Sequence, residues 1–457
     1  MTDDALIATT PAGEMKQPRG IYLLFAVEMW ERFSYYGMRA LLVLYLVDAQ
    51  HGGMGWDRAP AQRLYGWYGF FAYVLPVLGG AAADRWLGTR RAILIGGLII
   101  AAGHFCLATP IAGTFFAGLV LVVVGTGFFK ANVSTMVGQL YRERDPRRDP
   151  GFTIYYMGVN TGALLGPLVC GYLAASPHWG WHYGFGAAGV GMVLGLVFYV
   201  ALRNRYLPGI GLAPTRVASR AGEKVAHARL TREERDRIIA LLVIFFFVIF
   251  FWTGFEQAGS SMNLFAQERT NRDVFGYLVP AAWFQSLNPV FILLLGPVFA
   301  ALWVLLARRG REPSTPIKMT AGLAFMALGF VFMVVGAQRN AAGALVSPMW
   351  LVAAYLLHTV GELCISPIGL SLVTRLAPVR LGAFFMGMWF LATGIAELVA
   401  GQLAALSERI GRGELFHALG GQADFYLVFV VAPLAAAFVL LLFSPWLRRL
   451  MHGRDIL

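Results

Sequence analysis

The feature that most constrains this chain is its run of long apolar segments: twelve stretches of about 20 residues, each the length that crosses a hydrocarbon layer roughly 30 Å thick as a helix. In that layer no water satisfies the backbone, so a spanning segment closes its hydrogen bonds within itself, and the α-helix does so. The stretches begin near Ile21, Gln62, Arg91, Gly113, Phe152 and Gly180, and then near Ile238, Pro280, Lys318, Pro348, Gly382 and Phe425. The hydrophobic share, 58% against 14% charged, takes the sequence out of the range of soluble domains. The expectation is an all-α membrane protein of twelve helices. The first nineteen residues are polar and lack the apolar core of a signal peptide, so the first span is expected to stay in the mature protein.

A net charge of +12 raises the question of nucleic acid, and the distribution of the basic residues answers against it. With both termini on the cytoplasmic side, the inside segments hold 27 of the 37 Lys and Arg, among them Arg85, Arg90, Arg91, Arg142, Arg144, Arg147 and Arg148. That asymmetry is the positive-inside rule, not a nucleic-acid patch. The expected layout is a tail over residues 1–20, six spans over 21–203, a cytoplasmic linker over 204–236, six spans over 237–449 and a tail over 450–457. An amphipathic helix is expected around Val217 to Leu230. Two six-helix halves suit a transporter whose bundles rock about a central site.

Small residues Gly158, Gly162 and Gly166 recur every fourth position on the fifth span, where they let backbones approach. Pro76, Pro167, Pro289, Pro297 and Pro367 fall inside spans and break backbone bonds there. The cysteines Cys106, Cys170 and Cys364 lie in apolar runs without metal spacing and read as packing residues, so no metal and no cofactor are expected.

A charge in mid-membrane costs roughly 2.5 to 3.5 kcal/mol on insertion scales, so each one faces the protein interior and has a reason to be there. Eight occur: Glu28, Glu31, Arg32 and Arg39 on span one, Lys130 on span four, Glu256 on span seven, Glu362 on span ten and Glu397 on span eleven. At 3.6 residues per turn, Glu28, Glu31, Arg32, Tyr35, Tyr36 and Arg39 occupy one stripe about 140° wide. A Glu28/Arg32 ladder accounts for part of this stripe, but not for the charges on spans four, seven and ten. Five acids against three bases leave an excess of carboxylate where desolvation favours the neutral acid, so reversible proton binding is expected. Tyr156, Asn160, Trp252, Asn288 and Ser366 stand near these charges as polar companions. His358, one turn before Glu362, reads as a packed histidine. Arginine grips a carboxylate with two parallel bonds, and a glutamate with amides suits an ammonium group. The chemistry therefore fits a zwitterion, with amino acids, short peptides and other such metabolites all open.

Span one reads Glu28-Met29-Trp30-Glu31-Arg32-Phe33-Ser34-Tyr35-Tyr36-Gly37 and resembles, in every fixed position, the ExxERFxYYG motif of the proton-dependent oligopeptide transporters, a branch of the major facilitator superfamily. Gly79-Gly80 with Ala83-Asp84-Arg85 and Gly88-Thr89-Arg90-Arg91 is similar to the superfamily's loop between spans two and three, whose arginines latch helix ends. Further resemblance lies in Gly125 to Ser134, Phe152 to Pro167, Phe251-Trp252 with Glu256-Gln257, and Gly361-Glu362-Leu363 with Ser366-Pro367.

The resemblance implies a major facilitator fold and a proton-coupled symporter that imports di- and tripeptides across the cytoplasmic membrane by alternating access, working as a single chain with no enzymatic activity. It implies that Arg32 and Lys130 attract the peptide carboxylate, and that Glu362 with Asn160 and Asn288 receives the amino group. Tyr36, Tyr73 and Trp252 shape side-chain pockets. It further implies that Arg39 and Glu256 close the outer side, that Lys130 and Glu362 pair when substrate is absent, and that Glu28 and Glu31 take part in proton coupling. The linker has no room for the extra helix pair of many bacterial members. Glu397 is an acid where an uncharged residue is expected, and Phe255 stands where some relatives carry a second acid. Nitrate or glucosinolate carriers of the wider family, and a membrane-embedded hydrolase, are the rival readings. The hydrolase lacks an HExxH motif or a Ser/His/Asp grouping.

Overall fold

The computed structural model describes residues 16–142, 145–214, 230–341, 343–378 and 381–454. Its long helices follow the apolar stretches: α1 (Arg19–Val47), α2 (Arg58–Ala82), α3 (Thr89–Leu107), α4 (Ala112–Gln139), α5 (Arg148–Ala175) and α6 (Trp181–Tyr206). The second set comprises α7 (Arg232–Phe255) with the short α8 (Ser261–Arg269), a hairpin of β1 (Asp273–Val274) and β2 (Tyr277–Leu278), then α9 (Leu287–Arg308), α10 (Thr315–Asn340), α11 (Met349–Leu376), α12 (Gly382–Ala405), the short α13 (Ser407–Gly411) and α14 (Gln422–Leu450). Eleven helical segments among the described residues have the length and apolarity to cross a membrane. The twelfth, α1, has 29 residues and falls short of that apolarity because it carries five charged residues, Arg19, Glu28, Glu31, Arg32 and Arg39. The chain is a multi-pass membrane protein.

Helix starts lie within about seven residues of the expected positions, and the helices run longer than the apolar cores because their ends project past them. α7 opens with a capping box in which Thr231 and Glu234 satisfy each other's backbone N–H groups, so the helix begins in the polar stretch, before the apolar run. The amphipathic helix expected around Val217 to Leu230 lies outside the described residues, save for Leu230.

In the first set α1 packs on α5 and α6, α3 on α4 and α6, and α2 on α4. In the second, α10 packs on α11 and α14, and α7 on α12 and α14. The glycines of α5 do what their spacing predicts. A Cβ at Gly158 would come within 2.8 Å of the Phe25 carbonyl oxygen, and one at Gly162 or Gly166 would collide with the carbonyls of Met29 or Phe33, so α5 lies directly against the charged helix. Arg90, in the loop expected to latch helix ends, donates to the carbonyls of Arg203 (3.2 Å) and Leu207 and so ties the start of α3 to the end of α6. Pro76, Pro167, Pro297 and Pro367 lie inside helices; Pro289 is instead the third residue of α9, where a missing N–H costs nothing. The three cysteines are free.

The two sets meet chiefly along α2 and α12 and where α5 meets residues 281–286 and α9. The hydrogen bonds that cross between them gather at one end of the molecule. Asn263 donates to the Ala40 carbonyl (2.8 Å), Trp283 to that of Leu168 (2.9 Å) and Ser286 to that of Leu164 (2.8 Å). This is the far end, opposite the end of α6 and the start of α7. It is closed.

Candidate functional site

The α1 stripe faces inward as its period requires: Glu28, Glu31, Arg32 and Arg39 are all buried. Arg32 Nε donates to Glu28 Oε1 at 2.8 Å and lies 2.7 Å from Glu31 Oε2, a contact close enough for an ion pair but not aligned as a hydrogen bond. The ladder is therefore real. It is also incomplete, since Arg32 Nη2, Glu28 Oε2 and both Glu31 oxygens have no hydrogen-bond partner among the described residues. Buried charged groups left in that state are exceptional in a folded protein and mark a place built to receive something else.

Lys130 on α4 lies over the Tyr73 ring of α2, its Nζ 3.8 Å from the ring centroid, within electrostatic reach of Glu28, Glu31 and Glu397. The implied Lys130/Glu362 pair is not formed among the described residues. Lys130 belongs to a helix packed on α2 and α3, while Glu362 belongs to one packed on α9 and α10 and is already bonded there.

Glu362 Oε2 accepts from Asn288 Nδ2 at 2.8 Å, and the same amide donates to Thr359 Oγ1 at 3.1 Å. Tyr36 and Tyr156, from the first set of helices, lie within electrostatic reach of that carboxylate. Asn160 donates to the Tyr156 carbonyl at 2.9 Å, a bond within its own helix. Trp252 is 9% exposed, packs on Phe251 and Phe255, and its indole N–H has no partner. Ser366 is half-buried one turn beyond Glu362. His358 packs against Phe330, ring centroids 4.6 Å apart and the planes tilted by 40°, and its Nε2 has no hydrogen-bond partner among the described residues. Among the described residues no group of three or more His, Cys, Asp or Glu could hold a metal. An apolar recess of about 890 Å³ beside Trp30, Leu165, Trp179 and Tyr183 holds none of the charged residues and is a groove toward lipid, not the site.

At the far end Arg39 ion-pairs with Glu256 across the two sets of helices, and its Nε donates to the Tyr65 hydroxyl at 2.5 Å. Glu256 occupies a special backbone position, the first residue of the tight turn Glu256–Gly259 that separates α7 from α8. Gly259 in that turn has no side chain where the Tyr65 hydroxyl passes. Two features of this gate escape the sequence reading. Tyr65 carries no charge to announce it. Arg58 bridges Glu268 of α8 (2.8 Å) and Glu408 of α13 (3.4 Å), a second link between the sets that only the three-dimensional closure reveals.

The profile of the POT family matches residues 90–208 and 214–415. Among curated proteins, the peptide transporter YePEPT of Yersinia enterocolitica is 37% identical, over 97% of this chain and 98% of its own length. The di-/tripeptide transporter of Lactococcus lactis subsp. cremoris is 33% identical, over 85% of this chain and 90% of its own. A crystal structure of the peptide transporter POT in complex with sulfate matches with a TM-score of 0.86 at 37% identity, covering 99% of this chain and 100% of that one. The fold is thus the major facilitator fold of these transporters, and the chain is a transporter, not an enzyme. A profile match over most of the sequence, full-length relatives and the span-one motif agree: this chain belongs to the POT family.

Proposed function

We propose that the protein is a symporter that imports di- and tripeptides together with protons across a bacterial-type cytoplasmic membrane, with both termini and the 204–236 linker in the cytoplasm. One observation carries the reading. A buried ion pair joins Arg39 of one helix set to Glu256 of the other, beside a cluster whose cationic end, Arg32 and Lys130, and anionic end, Glu362, also belong to different sets. Such a cluster holds a zwitterion lengthwise.

The peptide carboxylate goes to Arg32, whose Nη2 is unpaired, and to Lys130; the amino group goes to Glu362 with Asn288 and Asn160. Tyr36, Tyr73, Tyr156, Trp252 and Ser366 line the space for side chains. Residues 21–203 and 237–449 rock as two bundles, and the closed far end is the outer gate. Protonation of Glu256 removes the charge that holds Arg39, the gate opens, and peptide and proton enter from outside. Glu28, Glu31, Lys130 and Glu362 pass the proton state of the cluster to the binding site. Every residue named here lies in one chain, which functions as a monomer.

In liposomes containing the purified protein, labelled di-alanine should accumulate against its gradient when the outside is acid. Tri-alanine should compete, and nitrate and free alanine should not. Glu256→Gln should sharply reduce uphill accumulation while counterflow between preloaded and external peptide persists. Uphill uptake by the variant at the wild-type rate excludes that role for Glu256, and competition by nitrate moves the protein to the anion carriers.

A further inference from the structure

Glu397 is the one spanning acid without an assigned part, and its surroundings are built. It is fully buried on α12, with Oε1 3.8 Å from Arg39 Nη2, and neither of its oxygens has a hydrogen-bond partner among the described residues. The opposing position on α2 is Gly69, where a Cβ would stand 2.5 Å from Glu397 Oε2 and 3.0 Å from the Glu397 Cβ. One turn away Gly66 faces Gly401, a Cβ on Gly66 coming 2.9 Å from the Gly401 Cα, so α2 and α12 cross at backbone contact and leave a slot for this carboxylate. On either side of it the carbonyls of Ala396 and Ala400 accept from Thr253 (3.5 Å) and Gln257 (3.1 Å), which fastens α12 to α7. Glu397 and Glu256 therefore travel together, and Arg39 belongs to the opposite side.

The charged and titratable groups facing Glu397 are Arg39 and Tyr35 from α1, Tyr65, Tyr68 and Tyr73 from α2, and Lys130 from α4, and Glu256 shares the Arg39 guanidinium with it. Lys130 lies over the Tyr73 ring and reaches Glu397 electrostatically, but among the described residues the cation at ion-pair distance from Glu397 is Arg39, at 3.8 Å. From this we infer that Glu397 is a second acceptor for Arg39, and that the outer gate is a three-group latch that releases only after both carboxylates have bound a proton. The inference rests on the gating role proposed for Arg39 and Glu256.

In the closed state Glu256 holds the arginine and Glu397 carries a proton, so the three groups are neutral in sum. If only Glu256 gains a proton, the charge on Arg39 is met by Glu397 giving up its own, and the latch holds. A second proton from the outer solution leaves both acids neutral and Arg39 unpaired, and water entering to solvate it opens the gate. Loss of both protons places two negative charges on one cation and tightens the closure.

The test is the dependence of di-alanine transport on external pH. Glu397→Gln should move the pH of half-maximal uptake upward by about half a unit or more, because protonation of Glu256 is then no longer answered by a second carboxylate that can hold Arg39. In counterflow, Glu256→Gln should remain acid-activated through Glu397, and the double variant Glu256→Gln/Glu397→Gln should lose that activation. A Glu397→Gln profile that overlays the wild type, even at a lower maximal rate, overturns the inference, as does a Glu256→Gln counterflow already indifferent to pH. Should Glu397→Gln fold poorly, Glu397→Asn repeats the comparison with a shorter uncharged side chain. Wild-type protein that shows no gradient-driven uptake at all refutes the transport reading itself, a result distinct from an unshifted variant.

Discussion

Arg32 shows how one side chain serves two masters at residue scale. Its Nε is spent on Glu28 and Glu31, while Nη2 is left over, so the planar fork both fixes the guanidinium and presents a free donor. Lysine at this position keeps the charge and loses that division of labour. Arg32→Lys should therefore raise the apparent KM for di-alanine about tenfold, equivalent to about 1.4 kcal/mol, with the pH profile of the gate unchanged. Equal KM values for variant and wild type in initial-rate uptake contradict the assignment. By contrast Arg58, about one third exposed and bridging two acids in solvent, contributes little: Arg58→Ala should change the unfolding midpoint by no more than about 1 kcal/mol equivalent, and less in high salt. What the sequence reveals at this scale is charge. Each of the eight spanning charges is buried or half-buried, since the cost of placing charge in lipid leaves it no other place. Tyr65 and Gly69 lie against the Arg39 and Glu397 side chains just as closely, and neither type is unusual in a membrane helix, so neither stands out before the helices are assembled.

Among the elements, α1 is least like a membrane helix and most central to the molecule. Its charges disqualify it by apolarity alone, and it is held in place by the glycine face of α5 and by its outer cap. At that cap Asp48 accepts from the Trp181 indole (2.9 Å), from the His51 ring (3.1 Å) and from the backbone N–H groups of Gln50, His51 and Gly53. Burial pushes its carboxyl up, but the bonds from Trp181, His51 and the backbone outweigh that and hold it below the usual carboxylate range. A depressed carboxylate stabilises the fold above its unfolded value of 3.8 and loses that contribution only as pH falls through its lower folded value. The cap is therefore constant across the range in which uptake responds to acid. Asp48→Asn should lower stability by about 1–3 kcal/mol to the same extent at about pH 5.5 and about pH 7.5, as read by thermal unfolding in detergent. A loss confined to the neutral sample contradicts this. The break between α7 and α8 is not legible in sequence, because Gly259 is its only helix-disfavouring residue and the turn is selected by what it meets, the Tyr65 hydroxyl and the Arg39 pair.

For the whole molecule, twelve spans follow from apolar run length and the loop asymmetry from basic residue placement, whereas the major facilitator fold is implied by the resemblance that the span-one motif carries. Which end is closed does not. Closure is a choice between two arrangements of the same contacts, and sequence encodes both. Here the cross-set bonds from Asn263, Trp283 and Ser286 join the Arg39 pair at one end, while Lys130 and Glu362 stand apart. The central claim is that this charge cluster exchanges its own ion pairs for a peptide and a proton in one cycle. The direct test is to add di-alanine outside liposomes that hold the protein and an entrapped pH indicator, with no pH gradient and the membrane potential clamped at zero. Inward peptide flux should acidify the lumen, and the double variant Glu256→Gln/Glu397→Gln should not. Peptide entry with a steady internal pH contradicts the account.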